Sequence, residues 1–146
     1  MEQWKQHIML GNQCFDERQL LTAMTHYQSA KSRAHVLFEH WFNPEQSVAA
    51  LVVSYHNLAD LYLREDNPAM AEKELRSIYD YILTQLDKDL PDVKRKRALL
   101  HGLKQSYTAL LSNLQRYNIK GGAAPPDYIP QPKYLTEAYN NDRSTF

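Results

Sequence analysis

Proline placement sets the frame of this chain. Seven prolines occur in 146 residues, and four of them fall after residue 124. The other three, Pro44, Pro68 and Pro91, each precede a stretch of good helix formers. Proline fits the first turn of a helix, where its missing N–H has no intrahelical partner, and it breaks a helix interior. Together with the polar turn Asp16-Glu17-Arg18, these three prolines cut residues 2–120 into five predicted helices.

Hydropathy supports each of them. Trp4, His7, Ile8, Gly11, Cys14 and Phe15 recur at helical spacing over 2–16. A second helix over about 19–41 carries Leu20, Met24, Tyr27, Ala34, Phe38 and Trp41 on one stripe, widened by Ala23, Ala30 and Leu37; Lys31 is the one break in it. Asn43 and Gln46 flank Pro44 as a possible capping box, and the third helix then carries Val48, Leu51, Val52, Tyr55, Leu58, Ala59 and Tyr62. Asn67-Pro68 repeats the signal before Ala71, Leu75, Ile78, Tyr79, Ile82 and Leu86. Pro91 opens a fifth helix with Leu99, Leu100, Leu103, Tyr107, Leu110, Leu111, Leu114 and Tyr117, and Gly121-Gly122 stops it. The sequence therefore predicts a helical domain over 1–120 and a Pro- and Tyr-containing tail over 121–146. Tyr128, Ile129, Tyr134, Leu135 and Tyr139 give that tail apolar anchors, which suits docking along the helices in its own molecule or a neighbour's.

Composition narrows the function classes. Seventeen basic and seventeen acidic residues leave a formal net charge of zero, so no bulk field favours nucleic acid or an anionic membrane. No apolar run approaches the roughly 20 residues that span a bilayer. Met1 to Cys14 lack the continuous apolar segment of a signal peptide. The single cysteine, Cys14, rules out an internal disulfide, which suits a reducing cytoplasm. The basic run Lys94-Arg95-Lys96-Arg97 follows Asp87, Asp89 and Asp92, which neutralise it locally, and reads as a solvated helix face. His56 and Asp60 share a helical face, but six histidines in the chain make one such pair unsurprising, so neither a metal nor a cofactor is expected. No nucleophile elbow, phosphate loop or metal-ligand box is present, and enzymatic activity is not expected.

The stretch from Leu10 to Ala30 has a further regularity. His7, Leu10-Gly11, Cys14, Ala23, Tyr27 and Ala30 alternate bulky and small residues so that a second helix can approach the first closely. Tyr55, Leu58-Ala59, Tyr62, Ala71, Leu75 and Ile78 repeat the pattern, and Leu100, Leu103-Lys104 and Tyr107 give half of it again. This pattern resembles the tetratricopeptide (TPR) repeat over about residues 4–117, with spacings of 48 (Leu10 to Leu58) and 45 (Leu58 to Leu103) in place of about 34. The resemblance implies an all-α fold of antiparallel helical hairpins stacked as a short TPR-like α-solenoid, with an extended Pro-rich C-terminal tail. An ordinary antiparallel helical bundle is the alternative.

In that family the first helix of each repeat lines a concave groove that holds a peptide. Carried onto this chain, the groove comprises Lys5, Ile8, Asn12 and Asp16, then Val53, His56, Asn57, Asp60 and Arg64, then His101, Gln105 and Thr108. Asn12 and Asn57 offer a donor and an acceptor each to an extended backbone, and the histidines and Arg64 can receive an acidic group. Both asparagines match the family's carboxylate clamp, but Ile8, Ala98 and Gly102 stand where the clamp's basic residues would be, which argues against a chaperone-tail ligand. The resemblance thus implies a non-enzymatic adaptor for a protein or peptide partner. A self-contained structural module forming a homodimer and a small TPR-type secretion chaperone are the alternatives.

Overall fold

The computed structural model describes residues 1–40, 42–88 and 92–121, with side chains in the last segment as far as Tyr117. Trp41, Pro91 and the anchors expected in the tail lie outside the described residues. Those described form an all-α protein of five helices: α1 (Glu2–Asp16), α2 (Leu20–Glu39), α3 (Pro44–Arg64), α4 (Pro68–Leu86) and α5 (Val93–Gly121). None of these helices is long and apolar enough to cross a membrane. The chain divides into two compact units, Met1–Glu74 and Leu75–Phe146, and the division falls inside α4.

The helix starts are chemical. Asn43 Oδ1 accepts the Gln46 amide at 3.0 Å, with Pro44 at the first helical position. Asn67 Oδ1 accepts the Met70 amide at 3.3 Å. At α5 the cap is Asp92, whose Oδ1 accepts the amides of Lys94 at 2.9 Å and Arg95 at 3.4 Å. Each cap satisfies an amide that has no partner within its own helix.

The turns out of α1 and α3 are copies of one another. Arg18 N–H donates to Phe15 O, and Gln19 N–H to Cys14 O. Forty-eight residues on, Asp66 N–H donates to Leu63 O and Asn67 N–H to Tyr62 O. The 6→1 and 5→2 pattern is a Schellman turn, which needs a left-handed residue at its corner. Arg18 (φ 62°) and Asp66 (φ 60°) take that conformation without being glycine.

Within the Met1–Glu74 unit, α1 and α2 pack antiparallel around one close approach. A Cβ on Gly11 would stand 2.5 Å from Tyr27 Cε1 and 2.6 Å from Cδ1. Glycine is the residue that lets the ring approach the helix backbone this closely, and the contact offsets the roughly 1 kcal/mol that glycine costs in a helix interior. Tyr27 is buried with Ala23, Leu58 and Leu61, and Ile8, Cys14, Phe15 and Met24 close over them. Lys31, the break in the α2 stripe, is paired: its Nζ lies 3.1 Å from the buried Glu74 carboxylate and 4.5 Å from the centroid of the Tyr55 ring. The Tyr55 hydroxyl and His35 Nε2 share a hydrogen bond at 2.8 Å.

In the Leu75–Phe146 unit the core is aliphatic, with Ile78 and Ile82 of α4 and Leu99, Leu100, Leu103 and Leu110 of α5 fully buried. Tyr79 meets Tyr107 at 5.9 Å between ring centroids. Burial, and then the neighbouring Tyr107 and Asp80, push the Tyr79 hydroxyl up to about 12. The basic run departs from the expectation of a solvated face. Lys94 and Arg97 are exposed, but Arg95 is buried, because it lies four residues before Leu99 on the buried stripe. That burial lowers its pKa from the ordinary arginine value.

Candidate functional site

Two contacts fix the geometry of α1 against α3. Near the start of α1, Trp4 Nε1 donates to Ser54 Oγ at 2.8 Å. At its end, the Arg64 guanidinium lies over the Phe15 ring, 4.5 Å from the centroid. Early α1 meets the middle of α3 and late α1 meets late α3, so the two helices run parallel. Ser54 turns its own hydroxyl proton inward to Ala50 O at 2.7 Å, which orients the oxygen for the indole. The two helices thus present one α1/α3 face between them.

That face holds most of the residues expected in the groove. Lys5 is exposed, with Glu2 at 3.8 Å; an ion pair this open contributes little. Asn12 is exposed, and its Oδ1 accepts the Tyr27 hydroxyl at 2.6 Å. Asp16, Asp60 and Arg64 are exposed, Val53 is 37% exposed, and Asn57 is half-buried. Ile8 is placed differently. It packs inward on the cluster around Tyr27, since its side chain lies on the same side of α1 as Gly11 and Phe15. His101, Gln105 and Thr108 are exposed on α5, in the other unit. The Thr108 hydroxyl donates back to Lys104 O at 2.9 Å.

Electrostatics give the face its character at the ends of α1 and α3. Burial raises the Tyr27 hydroxyl to about 12, and the negative charges of Asp16 and Asp60, then Cys14, add to the rise. The charges of Asp16 and Asp60 thus both act on the tyrosine that Asn12 holds. Asp60 is itself raised above the usual carboxylate range by desolvation, although part of its surface remains open. His56, one turn earlier, is half-buried, and burial lowers its pKa. Its Nε2 is shut off from solvent and meets no hydrogen-bond partner. Arg64 lies over Phe15 but stays exposed and charged, so this end offers two carboxylates, two carboxamides and one guanidinium. Among the described residues no group of three or more His, Cys, Asp and Glu is placed to hold a metal ion.

The family model for a protein of unknown function, DUF2753, matches residues 2–124. The chain belongs to this family. The match covers all five helices, so the α1/α3 face lies wholly within the family's region. No curated protein and no solved structure matches the chain.

Sequence reasoning did not find the Tyr27–Asn12 bond or the Trp4–Ser54 tie. Both join residues that periodicity alone assigns to different roles, core or surface. The Lys31–Glu74 pair left one legible sign, the interruption of an otherwise apolar stripe. Its partner, 43 residues away, had none.

Proposed function

We propose that this protein is a non-enzymatic, TPR-like interaction module of the cytoplasm that holds an extended peptide segment along the α1/α3 face. The parallel register of α1 and α3, fixed by the Trp4–Ser54 and Phe15–Arg64 contacts, supports this reading: Lys5, Asn12 and Asp16 recur along α1, and Val53, Asn57, Asp60 and Arg64 along α3. The 48-residue recurrence of the Schellman turn supports a repeat organisation. Asn12 and Asn57 supply amide groups to a peptide backbone. Asp16 and Asp60 favour a segment bearing Lys or Arg, contrary to the acidic ligand that the histidines and Arg64 suggest from sequence.

Peptide phage display on the full chain tests this, with the Asn57→Ala/Asp60→Asn double variant as the comparison. The expected result is an enriched motif containing at least one Lys or Arg, whose binding the double variant weakens tenfold or more. No enrichment, or a motif that the variant binds equally well, would overturn the reading.

A further inference from the structure

A second surface of the Met1–Glu74 unit lies between α1 and α2, away from the row that α3 joins. It is a cleft of about 670 Å³ that follows α2 from Met24 to Val36 and takes His7 of α1 as part of its other wall. Twelve residues of helix rise about 18 Å, the reach of about five residues of extended chain. Its polar groups include the Gln28 amide, the Ser32 hydroxyl and the Arg33 guanidinium, and no carboxylate lines it. Both titratable lining residues, His7 and Arg33, are basic.

Arg33 is the unusual member. It is half-buried, and its Nε is shut off from solvent without any hydrogen-bond partner. An N–H that has left water without gaining an acceptor carries an unmet desolvation cost. A carboxylate meets that need with two parallel N–H···O bonds. His7 is fixed in place, since its Nδ1 is bonded to His26 Nδ1 at 3.3 Å, which leaves Nε2 as its remaining polar atom. A single fixed cation matches a monoanion. A phosphate dianion would call for a second cation or free helix amides, and Met24 already lies beyond the first turn of α2.

We infer that the α1–α2 cleft binds a short extended acidic peptide, with Arg33 taking the carboxylate of a Glu or Asp side chain and Gln28 and Ser32 meeting the peptide backbone. This site is separate from the α1/α3 face and does not rest on the function proposed for it. The test is NMR of the full chain labelled with ¹⁵N-arginine, following the Arg33 Nε–Hε resonance. The probes are capped pentaglutamate and capped pentaglutamine, with acetate and inorganic phosphate as separate arms. Pentaglutamate is expected to shift the resonance saturably, at least tenfold more tightly than any other probe. Arg33→Gln is expected to abolish pentaglutamate binding measured by calorimetry. A resonance that pentaglutamate leaves unmoved would overturn the proposal, and so would one that pentaglutamine moves equally. Saturation by acetate or phosphate at the affinity of pentaglutamate would reduce the site to a simple anion pocket and would overturn it too. The wild-type resonance decides the matter even if Arg33→Gln fails to fold.

Discussion

The α1/α3 face and the α1–α2 cleft share one helix and differ in charge: the face carries Asp16 and Asp60 beside Lys5 and Arg64, and the cleft has no carboxylate. The charges of Asp16 and Asp60 raise the Tyr27 hydroxyl on the first; Arg33 and His7 line the second. The difference arises from the helical repeat of α1 itself. Asn12 and Asp16 lie four apart on the side that runs beside α3, and His7 lies on the side that meets α2. Between the two surfaces stands Tyr27, whose ring packs on Gly11 and whose hydroxyl reaches Asn12. The Met1–Glu74 unit thus presents two surfaces of different chemistry, kept apart by its core.

The largest effect on this pair of surfaces is expected from the scaffold beneath both. Lys31→Met leaves the buried Glu74 carboxylate without its partner and should cost about 3 kcal/mol, the low end of the range for buried pairs because Lys31 is partly exposed. Lys31→Met/Glu74→Met should recover most of that loss, which chemical denaturation of the two variants would measure. A single variant as stable as the wild type would show that the pair contributes nothing.

Gly11→Ala comes next. Its methyl meets the buried Tyr27 ring, and the strain should exceed the gain in helix propensity, for a net loss of about 1–3 kcal/mol. Both surfaces should weaken together, because α1 frames each. If only one of them weakens in binding assays, they are not coupled through the Gly11–Tyr27 contact.

His56→Leu comes third. It removes a buried nitrogen that has no partner and should stabilise the fold by about 1 kcal/mol, while leaving the cleft unchanged. The pH dependence follows from burial. His35 and His56 are both held below the ordinary histidine value, so the unfolded chain takes up protons first as pH falls. Their contribution is complete above about 6.5 and is lost as pH falls through the folded values. Denaturation midpoints between pH 7 and pH 5 should therefore drop, and less steeply in His56→Leu.

The smallest effect should touch neither surface. Arg18→Gly relieves a left-handed residue at the first Schellman turn and should gain about 0.5–1 kcal/mol. Asp66→Gly at the copy of that turn should behave alike. Unequal gains at the two corners would argue against their equivalence.

The helices were largely legible because their punctuation is local. Asn43-Pro44 and Asn67-Pro68 mark starts by chemistry that acts over three residues, and the alternation of Gly11, Ala23, Tyr27 and Ala30 marks a close helix contact. Pairings across long separations were not legible. Nothing near Trp4 points to Ser54, and nothing near Lys31 points to Glu74. Arg95 is an intermediate case: taken as one of four basic residues it reads as solvated, but its register four before Leu99 already places it on the buried stripe. Among the groove candidates, Ile8 shows the limit of carrying a family's positions across. Its spacing suits the groove, but its apolar side chain is packed on the core.

Whether the α1/α3 face takes a basic peptide is read most directly from an amide chemical-shift map of the full chain with capped pentalysine. The account predicts saturable shifts concentrated at Asn12, Asp16, Asn57, Asp60 and Arg64, and reduced by Asp60→Asn. Shifts spread evenly over exposed acidic residues such as Glu45 and Asp80, or no saturable shift at all, would contradict it.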